Sequence, residues 1–493
     1  MLEAGGGAMR GEVNVDSQDG ATDGGARVDT DLAFTSALDQ AAMVRRGDVS
    51  PSELVDGYLE RIARLDPQLD SYLTVAADHA RAAASDAEKR VAQGDFDGAP
   101  FLGVPISLKD LVDTAGIRTT HGTATYADRV PEVDDDVVAR IKRAGFVVLG
   151  KTNTPEFGSR STTESPGYPT ARNPWDTERT PGGSSGGAGA ALAAGLCAIA
   201  HGSDGGGSIR IPAAWCGLVG LKPSRGRVSW APGAQSANAT HGPLARTVAD
   251  AAAFLDAVAG YATGDFWWAP PPPRPFLEEV REPAGQLRVA FTTRHPMPDM
   301  DVAPAWRDAV VATASQLAQV GHDVVEADPP AFDVASTALL PAAARAADPN
   351  LPPIETLDFP NRTIVELGNA ASAKDLAAAQ ADLQIATRRY VAFFDDYDVL
   401  VTPTLASGPP RVGQQIMGNE DWAGMLELLR IVAFTPTANM TGQPAIALPT
   451  GLDDDGLPVS VHLVGRPADE ATILRVAAQL EAVLEPLPRP AVS

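Results

Sequence analysis

The chain has 493 residues, 44% of them hydrophobic and 21% charged, which is enough apolar surface for a large buried core. Its 63 acidic and 39 basic residues give a formal net charge of −24 with no basic stripe, which argues against nucleic acid or an anionic membrane as a direct partner. No apolar run reaches the roughly 18 residues that a membrane-spanning helix needs, and Cys197 and Cys216, both in apolar surroundings, read as small buried thiols of a reducing, cytoplasmic compartment.

Residues 1–30 are rich in Gly, Asp and Ala and carry no apolar h-region. They read as a disordered acidic tail and not as a signal peptide, with Met9 as an alternative start. Length alone would divide the rest into about three domains. No Ser/Gly/Pro linker breaks the middle of the chain, so one large α/β domain over residues 31–490 is expected. A helical pattern begins near Asp31. Ser50, Pro51 and Glu53 form a capping box with proline in the first turn, and Leu54, Tyr58, Ile62 and Leu65 continue the apolar stripe. Residues 75–94 give a second helix, ending at Gly94. Short apolar runs then alternate with helices: GVPISLK (103–109), a helix over 136–144, and GFVVLGK (145–151). Further on, LRVAFTT, HDVVEA, YDVLVTPT, QPAIALPT and PVSVHLVG read as strands, with helices in DAVVATASQLAQVG and EATILRVAAQLEAVL. This alternation predicts a mixed central β-sheet covered by helices on both faces. Two stretches are least patterned: a proline-rich excursion over 264–285, with Trp267 and Trp268, and an alanine-rich helical segment over 335–390. Both are expected to shape a pocket mouth.

The densest chemistry lies in TPGGSSGGAGAALAAGLCAIAHGSDGGGSIR (180–210). Two glycine–serine clusters, joined by an alanine-rich run of helix length, set Ser184 and Ser208 24 residues apart. Serine is a poor nucleophile unless a neighbouring base takes its proton. Gly205, Gly206 and Gly207 allow several backbone N–H groups to converge on a developing oxyanion. Lys109 ends the apolar run GVPISLK, where desolvation lowers a lysine pKa and makes it a base; the competing reading is a lysine snorkelling at a strand end. Asp204 and Arg210 are spaced to pair and brace the loop. Together these are the parts of an acyl-transfer site that needs no histidine. No His/Asp/Glu/Cys cluster has metal-ligand spacing, and neither metal nor cofactor is expected.

Two formal motif matches fail on context. GFVVLGKT (145–152) fits the phosphate-loop pattern, but its interior is strand-like and Pro155 soon follows. GGSSG (182–186) fits the nucleophile elbow, but the preceding RNPWDTERTP is loop, and of the downstream histidines His241 and His462 the latter sits in an alternating strand.

Taken together, the pieces resemble the amidase signature family over roughly residues 32–485. They are GVPISLKD, GFVVLGKTNTPEFG, ARNPWD, TPGGSSGG, SDGGGSIRIPAAWCGLVGLKPSRGRVS and GQPAIALPTG. The resemblance implies the amidase signature fold and a Ser–cis-Ser–Lys triad. In it Ser208 is the nucleophile, Ser184 the bridging serine after a cis bond from Gly183, and Lys109 the base. It also implies an oxyanion hole from the N–H groups of Gly205, Gly206, Gly207 and Ser208, supported by Asp204, Arg210 and Ser185. Gly205 departs from the family, which usually has a branched or hydroxylated residue there. That departure loosens the loop or enlarges the pocket beside it.

Within the family, LGKTNTPEFG, ARNPW and HGSDGGGSIRIPAAWCG are similar to a branch of aryl acylamidases, nylon-oligomer cyclic-dimer hydrolases and urethanases. This implies uncharged aryl or xenobiotic amides and carbamates as small-molecule substrates. The apolar stretches 266–273 and 336–344, with no Arg or Lys cluster to hold a carboxylate, agree with it. Arg246, Arg345 and Arg411 are the cations that would change this if their loops fold inward. A second reading is a glutamyl-tRNA amidotransferase A subunit, which shares the triad but needs partner chains. A third, a silent binding protein on the same fold, conflicts with retention of all three triad residues. Dimers are common in the family, so a homodimer is the assembly the resemblance allows.

Overall fold

Among the described residues eleven strands join into one sheet, and most of them are buried along their whole length. The computed structural model describes residues 30–233, 237–348, 350–414 and 422–493. The predicted tail over residues 1–30 thus lies outside the described residues, save Thr30. The strands are β1 (Tyr72–Val75), β2 (Pro105–Lys109), β3 (Val147–Thr152), β4 (Ile199–Asp204), β5 (Val219–Lys222), β6 (Thr240–Ala245), β7 (Arg288–Phe291), β8 (Asp323–Glu326), β9 (Val399–Pro403), β10 (Ala445–Leu452) and β11 (Pro458–Gly465). Their order is β1-β3-β2-β4-β6-β5-β10-β11-β9-β7-β8. β2 runs parallel to both β3 and β4, and β9, β7 and β8 are parallel to one another, whereas the middle pairs are antiparallel. Every residue of β2, β3, β4, β5, β6, β9 and β11 is buried, so helices and loops cover both faces there. The edge strand β8 is mostly exposed.

The predicted α/β class with a mixed sheet is what the structure shows. The Ser50–Glu53 capping box opens the helix Pro51–Leu65, with both reciprocal hydrogen bonds made. The helices read over 75–94 and 136–144 are Ala77–Ala92 and Asp136–Arg143. β1, β4, β5 and β6 were not among the predicted strands. The alanine-rich run between the serine clusters is the cause for β4: helix Gly186–Ala193 ends early, and Ile199–Asp204 returns as a central strand. The segment 335–390 is helical as read, with helices Leu339–Ala346, Phe359–Ala370 and Ala373–Val391.

Candidate active site

Lys109 is the last residue of β2 and Asp204 the last of β4. Because these neighbours run parallel, both side chains leave the sheet at the same C-terminal edge, where α/β sheets place their ligands. The serine clusters close over this edge. The loop before helix Gly186–Ala193 brings Ser184 Oγ to 2.7 Å from Lys109 Nζ. The Gly183–Ser184 peptide bond is cis, as the resemblance implied. Ser185 donates its N–H to the Ser208 carbonyl at 3.2 Å and its hydroxyl to the Ser203 carbonyl at 3.3 Å, tying both clusters to each other and to β4. Lys109 Nζ lies 3.1 Å from Ser203 Oγ and 3.3 Å from its carbonyl oxygen. Lys109 and Ser184 are buried, while Ser208 is half-buried, and its hydroxyl makes no hydrogen bond among the described residues.

The glycine loop is held from below by a buried ion pair. Asp204 and Arg210, both fully buried, meet through Nε–Oδ2 at 2.9 Å and Nη2–Oδ1 at 3.0 Å. Asp204 also accepts the N–H groups of Gly207 at 2.6 Å and Ile209 at 3.2 Å. This corrects one expectation: the Gly207 N–H points back to Asp204 and is not available to an oxyanion. The N–H groups of Gly205, Gly206 and Ser208 have no acceptor among the described residues. Gly207 adopts φ 130°, and a Cβ there would lie 2.2 Å from Thr435 Oγ1. That hydroxyl donates to the Gly206 carbonyl at 2.7 Å. At Gly205, a Cβ would sit 3.5 Å from Ala239 Cβ and Asn238 Nδ2, in ordinary contact, so a methyl group would fit beside the loop.

Arg210 continues to the Thr435 carbonyl (2.9 Å), Asn439 Oδ1 (2.6 Å) and His462 Nε2 (2.9 Å). A guanidinium only donates, so His462 is neutral with Nε2 as acceptor. Burial, and then Arg210, hold its pKa well below the usual range. Burial pulls Lys109 down to about 7, opposed by the Asp204 carboxylate. Burial alone would raise Asp204, but Arg210 holds that carboxyl well below the usual range. The edge therefore carries a fixed anion–cation pair and, beside it, an amine that is readily neutral.

Residues 53–474 match the family described as Amidase. The chain is 36% identical over 482 residues to the 6-aminohexanoate-cyclic-dimer hydrolase of Paenarthrobacter ureafaciens, covering 92% of this chain and 95% of that one. The chain belongs to the amidase signature family. The solved structure of 6-aminohexanoate cyclic dimer hydrolase complexed with substrate superposes with a TM-score of 0.87 at 33% identity, over 94% of this chain and 100% of that one. A bacterial aryl acylamidase of the same family gives 0.81 at 27% identity, over 91% and 96%. The chain is thus an enzyme of the amidase family, acting on C–N bonds of small-molecule amides, and no helix among the described residues is long and apolar enough to cross a membrane.

In this amidase, the phosphate-loop and nucleophile-elbow matches lack the structural context those motifs need. GFVVLGKT is β3, with no helix directly after it. The 182–186 cluster follows loop, not strand, and neither His241 nor His462 reaches Ser184. His241 instead pairs with His201 at 3.2 Å under the Trp230 ring. Arg246 is engaged by the carbonyls of Ala198, Leu192 and Cys197, and Arg345 by that of Phe157. Arg411 bridges to Arg179 through the backbone and is exposed. Both cysteines are buried and unpaired. The excursion around Trp267 packs on the Gly226 turn, where the Ala269 N–H donates to the Gly226 carbonyl at 2.9 Å. Sequence reasoning missed Ser203, Asn238, Thr435 and Asn439. Ser203 was signalled only by its place before Asp204, and Thr435 and Asn439 by nothing local.

Proposed function

We propose that the chain is a serine amide hydrolase in which Ser208 is the nucleophile, Ser184 the proton bridge and Lys109 the base. The observation that carries this is the 2.7 Å contact between Ser184 and a fully buried lysine. A neutral amine has two N–H bonds and one lone pair. Ser203 Oγ and its carbonyl accept the two N–H bonds, which leaves the lone pair for the Ser184 hydroxyl. Ser208 Oγ attacks the substrate carbonyl carbon while its proton passes to Ser184 Oγ and the Ser184 proton to Lys109 Nζ. The carbonyl oxygen takes the negative charge and receives the N–H groups of Gly205, Gly206 and Ser208. Collapse breaks the C–N bond, and the same relay returns a proton to the leaving nitrogen. Water then repeats the path and frees the acyl group. Asp204, Arg210 and Ser185 keep the loops in place.

The substrates we infer are uncharged aryl or xenobiotic amides and carbamates. In support, Arg246 and Arg345 are already bound to backbone carbonyls, and the loop beside Ser184 carries Phe157 with His121 and Tyr126 around it. The cyclic dimer named for the relative has neither free amine nor free carboxylate, which fits the same class. We further infer one domain over residues 31–490 and a cytoplasmic enzyme, for which two unpaired buried thiols are the supporting feature. Ser208→Ala tests the chemistry: turnover should vanish with the melting temperature intact, and retention of more than about a hundredth of kcat would remove the covalent step. An aryl carbamate or acetanilide compared with glutamine and malonamate tests the class. A tenfold preference for the charged substrates, about 1.4 kcal/mol, would overturn it.

A further inference from the structure

The turn that covers Ser184 is itself held by a distant helix. Gly158 lies against the serine so closely that a Cβ there would be 3.1 Å from Ser184 Oγ and 2.8 Å from Leu111 Cδ1. Its neighbour Phe157 has φ 49°, a conformation that a bulky residue adopts only where its surroundings impose it. Those surroundings are explicit. The Phe157 N–H donates to the His121 carbonyl at 2.8 Å, and its carbonyl accepts Arg345 Nη2 at 2.9 Å. Its ring packs with Leu357 and Val365.

On either side of Phe157 the grip comes from helix Phe359–Ala370 and its N-cap, Asp358. Asn361 Nδ2 donates to the Glu156 carbonyl at 3.0 Å and to Glu156 Oε2 at 3.2 Å, and Asn361 Oδ1 accepts Ser159 Oγ at 2.5 Å. The Asp358 N–H donates to Glu156 Oε2 at 2.8 Å. The Asp358 carboxylate pairs with Arg160 at 2.7 Å, with both side chains only 4% exposed. Asn361 is fully buried, and a buried amide is retained only where its hydrogen bonds are met. All of these bonds converge on the five residues 156–160, of which Gly158 lies against Ser184.

We propose that Asn361 and Asp358 are positioning residues of the active site, clamping the Phe157–Gly158 turn onto Ser184 through Glu156 and so keeping water from the Lys109–Ser184 contact. This rests on Lys109 acting as the base. The charged and titratable groups facing Lys109 are Asp204, His201 and His241, and none belongs to the clamp. Those facing Glu156 are Asp358 and Arg345, with Arg160 beyond Asp358. Opening the clamp therefore alters Lys109 through solvent and not through a new charge.

The test is the pH dependence of kcat/KM for Asn361→Ala, with the uncharged and similarly sized Asn361→Leu in reserve should alanine not fold. Glu156→Gln is the conservative comparison, since it keeps an acceptor oxygen. Asn361→Ala should lower kcat by about tenfold with KM little changed. Its acid limb should move to higher pH by about half a unit or more, because admitted water relieves the desolvation that holds Lys109 down. Glu156→Gln should keep the limb of the unmodified enzyme. A folded Asn361 variant whose limb stays in place would overturn the clamp, as would an equal shift in Glu156→Gln. Lys109→Met measured alongside separates the two ideas. If it retains turnover, the base assignment fails; if it is inactive while the Asn361 limb is unmoved, only the clamp fails.

Discussion

Replacing Asp204 with asparagine removes the anion beneath the glycine loop while keeping its shape. Arg210, fully buried, then keeps hydrogen bonds to Thr435, Asn439 and His462 but loses its only counter-charge among the described residues. Breaking one side of a buried pair costs about 3–5 kcal/mol. With an unfolding entropy of about 2.1 cal/mol/K per residue, a chain of 493 residues loses about 1 kcal/mol per degree, so the melting temperature should fall by about 3–5 °C. The catalytic effect should be larger. Asp204 orients the loop through Gly207 and Ile209, and displaced oxyanion donors cost about 10²–10³ in kcat. The double variant Asp204→Asn/Arg210→Met separates these effects. Thermal melts should recover much of the lost stability, because no buried charge is left unpaired. Steady-state rates should not recover, because nothing re-aims the loop. Asp204→Asn with kcat within about threefold of the unmodified enzyme, or a double variant that recovers kcat along with stability, would refute this role for Asp204.

Activity should fall as pH drops through about 7, where the buried Lys109 takes a proton, and a pH–rate profile peaking near pH 5 would contradict a lysine base. Gly207→Ala should be inactive and less stable, since its Cβ meets Thr435 Oγ1 at φ 130°, whereas Gly206→Ala faces open space and should melt normally while changing KM. Equal losses of stability in the two variants would refute the distinction. Burial lowers Lys109 and Lys222 to about 7 and Lys151 to about 8, so between those values and the unfolded lysine range near 10.4 the folded chain binds fewer protons. Stability should therefore rise from pH 7 to about 8.5, before the raised pKa of Cys197 opposes it, and a urea midpoint that falls over this interval would disprove the assignment.

The strands legible in the sequence were those with a continuous apolar run and a turn signal on each side, such as PVSVHLVG, which is β11 from end to end. β4 was hidden because its residues, IAHGSD, carry histidine, glycine and serine for the site they approach. The Lys109, Ser184 and Ser208 positions were legible because glycine and serine clusters are rare beside a buried lysine. Gly207 was misjudged because the direction of a single N–H depends on one φ value and on where Asp204 turns its carboxylate. Thr435, Asn439 and Asn361 were invisible because what singles them out is a contact across the fold, and nothing in their own neighbourhoods differs from an ordinary helix start.

The support beneath the glycine loop spans the chain. Arg210 and the Thr435 carbonyl are 225 positions apart, Gly206 and Thr435 229, and Asp204 and Asn439 235. β5 likewise finds its outer neighbour in β10, not in any strand made before it. Such pairings must wait for the C-terminal part of the polypeptide, and closing loops of that length is slow. During synthesis, the nascent polypeptide holds both serines and the lysine long before it holds the residues that support them. A chain cut before Thr435 would hold the lysine and both serines without the contacts that Thr435 and Asn439 make to Gly206, Asp204 and Arg210.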